Sequence, residues 1–231
     1  MPLNSPERSP EPKTSSDGTE HNDIAAALPK RIGSVYLGRE KAHGPGAIVL
    51  DDFFAATAAY AKLSRSHVPE RVDNAADTLI LCVETPLPPS RTVLHRLRET
   101  HARAGARVYA IVLGDAGCSA NAMRGCAERI KDACLSLELA WGGALIIGDA
   151  WGLERALRTA PRMGFWRRKI SEGTDRLVAA ARSGLPVSEC QLRAGASSPI
   201  DPDDLIDVSK PIPAWTMCIR RFIDNVTSAR C

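Results

Sequence analysis

The sequence predicts an α/β protein built on a parallel sheet, and three observations carry that prediction. Residues 79–83, 108–113 and 139–147 are apolar runs without polar alternation, the pattern of strands buried on both faces. Stretches with helical spacing separate them, giving the order strand, helix, strand, helix, strand, helix. Each of these strands then ends in proline or in a loop of small residues.

In order along the chain, residues 1–18 carry many Pro, Ser, Glu and Lys and no apolar period, the composition of a disordered tail. Residues 22–28 read as a short helix capped by Asn22. Residues 31–37 are a candidate strand, 38–46 a loop, and 47–50 a short apolar stretch ending at Asp51 and Asp52. Phe53, Phe54, Ala56, Tyr60 and Leu63 have the three- and four-residue steps of a helix. The strand at 79–83 stops at Thr85 and Pro86, because proline cannot pair in a ladder. A helix over 90–104 buries Val93, Leu94 and Leu97 and stops at Gly105. The strand at 108–113 runs into Gly114-Asp115-Ala116-Gly117-Cys118-Ser119. A helix over 121–137 follows, then the strand at 139–147 and a small-residue loop from Gly148 to Gly152. A helix from about 164 to 183 ends at Gly184. Residues 185–213 are polar with several prolines and read as an extended excursion, and 215–226 as a final helix. The expected units are therefore a tail at 1–18, a domain at 19–184 and an extension at 185–231.

The 231 residues are enough for one domain with a sizeable core. A net charge of +3 with scattered Lys and Arg gives no nucleic-acid footprint. The one dense basic stretch, Arg162, Arg167, Arg168 and Lys169, reads as a solvated helix face. No apolar run approaches the roughly 18 residues of a membrane span, and the polar N-terminus is unlike a signal peptide. The seven cysteines form no C-x-x-C pair, so a structural metal is not expected, and a reducing cytoplasm with free thiols is.

In open α/β sheets, ligands bind outside the carboxyl ends of the strands. The loops near Thr85, Gly114 and Gly148 therefore form the expected site edge. No Ser-His-Asp set and no G-x-G-x-x-G spacing stands there, so no catalytic side chain and no metal ligand is assigned. His43, His67, His95 and His101 read as surface histidines.

Three segments, Ala76-Asp77-Thr78 through Thr85-Pro86-Leu87, the strand from Val108 into Gly114, and Trp141-Gly142-Gly143 through Gly148, together resemble the flavodoxin-like NAD(P)H-dependent FMN reductases. Ala76-Asp77-Thr78, the apolar run and Thr85-Pro86-Leu87 are similar to that family's A-D-x-(apolar)-T-P-L-Y signature. The strand from Val108 to Gly114 resembles one that borders the flavin. Trp141-Gly142-Gly143-Ala144-Leu145-Ile146-Ile147-Gly148 is similar to a W-G-G-x-L-x-I-G strand of one branch. Asp51-Asp52-Phe53 and Lys210-Pro211-Ile212-Pro213 resemble two further motifs, so the likeness spans about residues 45–225.

The resemblance implies a flavodoxin-like three-layer sandwich with bound FMN. NAD(P)H would be the electron donor and a small molecule or a flavin the acceptor, with a homodimer among the expected assemblies. It places the flavin across Thr85, Pro86, Leu87, Gly114, Asp115, Gly117 and Cys118, and the phosphate near Ser5, Thr14 and Ser15. On this alignment residues 31–37 are the second strand, so the first is shortened or missing and residues 1–18 hold a degenerate phosphate loop. Pro88 stands where the family has a stacking tyrosine, Asp115 replaces its asparagine-cysteine-glycine order, and Glu7 and Glu11 would repel an anion. These departures define a second reading: a degenerate flavodoxin-like domain without flavin, acting as an interaction or regulatory module.

Overall fold

The computed structural model describes residues 28–38, 44–86, 88, 90–115, 117–150, 152, 154–165, 167–195 and 201–210. The elements are β1 (Arg31–Leu37), α1 (Pro45–Leu63), β2 (Glu70–Val72), β3 (Thr78–Glu84), α2 (Ser90–Glu99), β4 (Arg107–Leu113) and α3 (Ala120–Leu135). They continue with β5 (Ala140–Ile147), α4 (Glu154–Thr159), α5 (Arg168–Ser183), α6 (Val187–Arg193) and β6 (Leu205–Val208). The six strands form one sheet in the order β2-β1-β3-β4-β5-β6, and every pairing is parallel.

The unbroken apolar runs follow from a core on each face. Ile80, Cys82, Tyr109, Ile111 and Leu145 point to one core, where α1 and α5 contribute Val49, Phe53 and Leu177. Their neighbours Leu79, Leu81, Val108, Ala110 and Ile146 point to the other, where α2 and α3 contribute Val93, Leu97, Met123 and Ile130. A strand with helices on both sides has no solvent face to alternate toward. The result is a three-layer α/β sandwich, with β3, β4 and β5 adjacent and parallel as the sequence predicts.

The order 2-1-3-4-5 is that of the flavodoxin-like doubly wound fold, here extended by a sixth strand. It corrects the rank of one strand. Residues 31–37, expected as the second strand with the first shortened or missing, are the first strand among the described residues and hold the first strand's place in that order. They form a seven-residue strand inside the sheet, paired with β2 over Arg31–Gly33 and with β3 over Ile32–Leu37. The true second strand is a three-residue edge, Glu70-Arg71-Val72, which has no apolar run to reveal it. Its charged residues suit a sheet edge, where they discourage pairing with another chain.

The stretch after Gly184 also differs from the expected excursion, because α6 and β6 build it into the sheet. Arg124 of α3 clamps β6 by donating to Asp201 at 2.8 Å and to Asp207 at 3.1 Å. Burial alone would raise the Asp207 carboxyl, but bonds from the Ser209 hydroxyl and amide and from Arg124 outweigh it and hold it below the usual range. A depressed folded value stabilises the protein above the unfolded value near pH 4, and that stability is lost as pH falls through the folded value. Asp207→Asn will therefore flatten the acid side of the stability profile. Urea unfolding at about pH 7 and about pH 3 checks this, and an unchanged acid slope would refute it.

At the amino end of β5, Gly142 is an extra residue between the pairs Val108–Trp141 and Tyr109–Gly143. This bulge makes room for the buried Tyr109 ring, two atoms of which would lie 2.7 Å from a Cβ at Gly142. Gly143 then takes φ +125, which an L side chain rarely adopts. The Tyr109 hydroxyl reaches the carbonyls of Ala180 at 2.9 Å and Leu185 at 2.7 Å, tying β4 to the end of α5.

The basic stretch at 162–169 divides instead of forming one solvated face. Arg168 and Lys169 are exposed, Arg168 donating to Glu172 one turn on. Arg167 is 6% exposed and forms an ion pair with Asp52 of α1. Arg162 bonds Asp175 at 2.7 Å. The described cysteines Cys82, Cys118, Cys126, Cys134 and Cys190 are free thiols, and Cys218 and Cys231 lie outside the described residues. Burial pushes the Cys134 thiol up to about 12. Among the described residues, no helix is long and apolar enough to cross a membrane.

Candidate functional site

The strand order reverses between β1 and β3, so their carboxyl ends diverge and leave a crevice. A cleft of about 320 Å³ lies there. Its floor is Tyr36 and Leu37 from β1 and Glu84 from β3; its walls are Gly38, the Thr85–Pro86 turn and Pro88; Thr92 and Arg96 of α2 form the rim. The Thr85–Pro86 peptide is cis.

Glu84 is the one charge in β3, and it is buried. Desolvation makes an isolated buried carboxylate costly, so such a group needs a partner. The Tyr36 hydroxyl donates to Glu84 Oε1. Two glycines give the Tyr36 ring its place. A Cβ at Gly38 would lie 2.6 Å from the ring and 2.7 Å from the Glu84 carboxyl carbon, and a Cβ at Gly46 would overlap the ring edge. Beneath this pair, burial first and the Glu84 charge second push the Cys82 thiol far up, which keeps it protonated and unreactive.

Of the residues expected around a flavin, Thr85 and Pro86 line the cleft. Leu87, Ser5, Thr14 and Ser15 lie outside the described residues. Gly114, Asp115, Gly117 and Cys118 stand in the next loop and do not line this cleft. The two loops are nevertheless tied: Thr85 N donates to Leu113 O at 2.9 Å, and Asp115 N donates to Thr85 Oγ1 at 3.0 Å. Gly114 N donates to Ile147 O at 2.7 Å, Ala150 N to Gly114 O at 2.9 Å and Gly148 N to Val208 O at 3.2 Å. Cys118 N donates to Asp115 O at 3.0 Å. The amides of Thr85, Gly114, Asp115 and Cys118 are thus spent inside the protein, where the expected flavin pose needs them as donors. Gly117 has φ +84 and nothing within 4 Å of a Cβ, so it makes no close approach to other protein atoms.

Tyr36, Gly38, Glu84 and Arg96 are site residues that the sequence reading missed. The available signal was a lone acid closing an otherwise apolar strand. With β1 now first, the turn that begins α1 follows the first strand, in place of the tail segment at 5–15. Gly44 caps that helix without a side-chain bond and Pro45 opens it. The expected surface histidines His67, His95 and His101 are exposed, with His95 lying 3.4 Å from Glu99. His43 lies outside the described residues.

Fold and crevice together define a flavodoxin-like α/β protein with a ligand-sized cleft at the topological switch point. Protein-family models, curated proteins and solved structures offer no match to the chain.

Proposed function

We infer that the chain is a flavodoxin-like domain that acts as an interaction or regulatory module and does not hold flavin in the pose its motifs suggest. The observation that supports this reading is the use of the loop amides. A flavin ring held across Thr85 and the 114–118 loop needs backbone donors from both. The amides of Thr85, Gly114, Asp115 and Cys118 instead bond protein oxygens. The buried Glu84 points the same way, since a carboxylate in the crevice floor opposes a phosphate-bearing ligand. The residues present do not fit FMN in that pose, and no redox step is assigned to them.

The position of the crevice favours a second reading, an FMN-dependent NAD(P)H oxidoreductase passing electrons to a small-molecule or flavin acceptor. Folds of this order place a ligand at the switch point between strands 1 and 3, where flavodoxin holds FMN, and Thr85 and Pro86 do line the cleft there. Arg96, which lines the cleft and pairs with Glu99 at 3.0 Å, has further donors for an anionic group. Fluorescence titration of FMN into the full-length protein separates the two. The expected result is no saturable quenching up to about 0.1 mM FMN. Saturable binding at micromolar FMN, abolished by filling the crevice with Thr92→Trp, would overturn the first reading and establish the crevice as the flavin site. Thr92 is exposed, so that substitution leaves the cores untouched.

A further inference from the structure

The opposite edge of the sheet carries a second cleft, of about 390 Å³, at the amino ends of β3 and β4. Three segments enclose it: residues 28–30 leading into β1, the turn from Arg103 to Gly105 leading into β4, and Gly184 ending α5. Lys30, Arg103 and Arg107 are its cations and Asp77 its one carboxylate.

Asp77 is already engaged in holding the cleft together. Its Oδ2 accepts the amides of Lys30 at 3.2 Å and Arg31 at 3.0 Å, and its Oδ1 accepts from Arg103 at 2.8 Å. Arg107 is half-buried and fixed by donating one N–H to the Trp141 carbonyl at 3.0 Å, beside the Gly142 bulge. That uses one of the five donors of its guanidinium. Lys30 forms no ion pair among the described residues. Gly105, at φ +73, has nothing within 4 Å of a Cβ, so the backbone wall is open there. The carboxyl end of α5 at Gly184 adds roughly half a negative charge. Three cations against one carboxylate and that partial charge leave the cleft electropositive.

We propose that this amino-edge cleft binds a small phosphate-class anion through Lys30, Arg103 and Arg107. A guanidinium fork matches phosphate oxygens in pairs, and the ammonium of Lys30 supplies a mobile point charge at the mouth. Asp77 acts as a positioning residue, since it holds both the Lys30 backbone and the Arg103 side chain. The site is independent of the crevice between β1 and β3, which opens at the other end of the strands.

The test titrates inorganic pyrophosphate into the full-length protein by calorimetry at low salt. The wild type will bind, with affinity falling as salt rises. Lys30→Gln will weaken binding, and the double variant Lys30→Gln with Arg107→Gln will weaken it by about tenfold or more. Lys30 is exposed, so the single variant remains informative if the double variant unfolds. Arg96→Gln, on the rim of the other crevice, and Arg168→Gln, on a solvated face, will bind like wild type. Equal affinity in the wild type and Lys30→Gln, loss of binding in Arg96→Gln, or no binding to the folded wild type would each overturn the proposal.

Discussion

Gly148→Ala will lower the unfolding free energy by about 3 kcal/mol, the upper part of the range for overpacking. Gly148 closes β5 and donates its amide to Val208 O at 3.2 Å. A Cβ there would overlap the carbonyl oxygen of Ser209 and stand 2.8 Å from its carbonyl carbon. These are backbone atoms, so no side-chain rotation relieves the overlap. The relief available is to push residues 208–210 off β5. That lifts the buried Val208 from its core and pulls Asp207 away from Arg124. Gly125→Ala in α3 is the control with opposite sign. A Cβ there meets nothing within 4 Å, so alanine's higher helix propensity stabilises by about 0.5–1 kcal/mol. Urea unfolding of both variants checks the pair, and a loss below about 0.5 kcal/mol for Gly148→Ala would refute the packing argument.

Arg167→Ala will cost about 2–3 kcal/mol, whereas Arg168→Ala will leave the stability essentially unchanged. The two arginines are neighbours in sequence and opposites in surroundings. Arg167 is 6% exposed, pairs with Asp52 and donates to the Ala160 carbonyl at 3.2 Å. Truncation strands the Asp52 carboxylate, whose side chain is 18% exposed, and leaves Ala160 O without its donor. That remaining water contact places the cost below the full penalty for an uncompensated buried charge. Arg168, with its side chain 66% exposed, loses a screened pair to Glu172 one turn along the helix. A double-mutant cycle with Asp52→Ala will show coupling for Arg167 and none for Arg168. Equal thermal shifts for the two single variants would place Arg167 on the solvated face that the sequence suggested.

Strands were legible in the sequence in proportion to how completely both faces are buried. Every residue of β3 is buried, and all but the first of β4 and β5, so their apolar runs announce them. β2 spans three residues with Glu70 and Arg71 exposed, and β6 spans four within a polar, proline-rich stretch. Sheet pairing, not composition, makes strands of these segments. Missing β2 is what displaced β1 by one place in the order. The carboxyl-edge turn at Thr85 and Pro86 was visible because proline ends a strand wherever it falls. The floor of the crevice was not, because Tyr36 and Glu84 meet across 48 residues. Which of two adjacent arginines is buried depends likewise on Asp52, 115 residues away.

The inner position of β1 has a consequence for how the chain acquires its structure during synthesis. Its partner β3 begins 46 residues after Ile32, at Thr78, and β2 intervenes as a three-residue segment too short to cover it. A nascent chain that has released only β1 and α1 therefore carries a strand with no lasting sheet neighbour among the described residues. Stable pairing waits for Thr78–Glu84 to emerge, and the sheet then grows in one direction through β4, β5 and β6 as each appears. Parallel pairing across such separations is intrinsically slow, because the loop must close before the contacts reward it. The hazardous interval for aggregation on the ribosome thus lies between the release of Leu37 and that of Glu84.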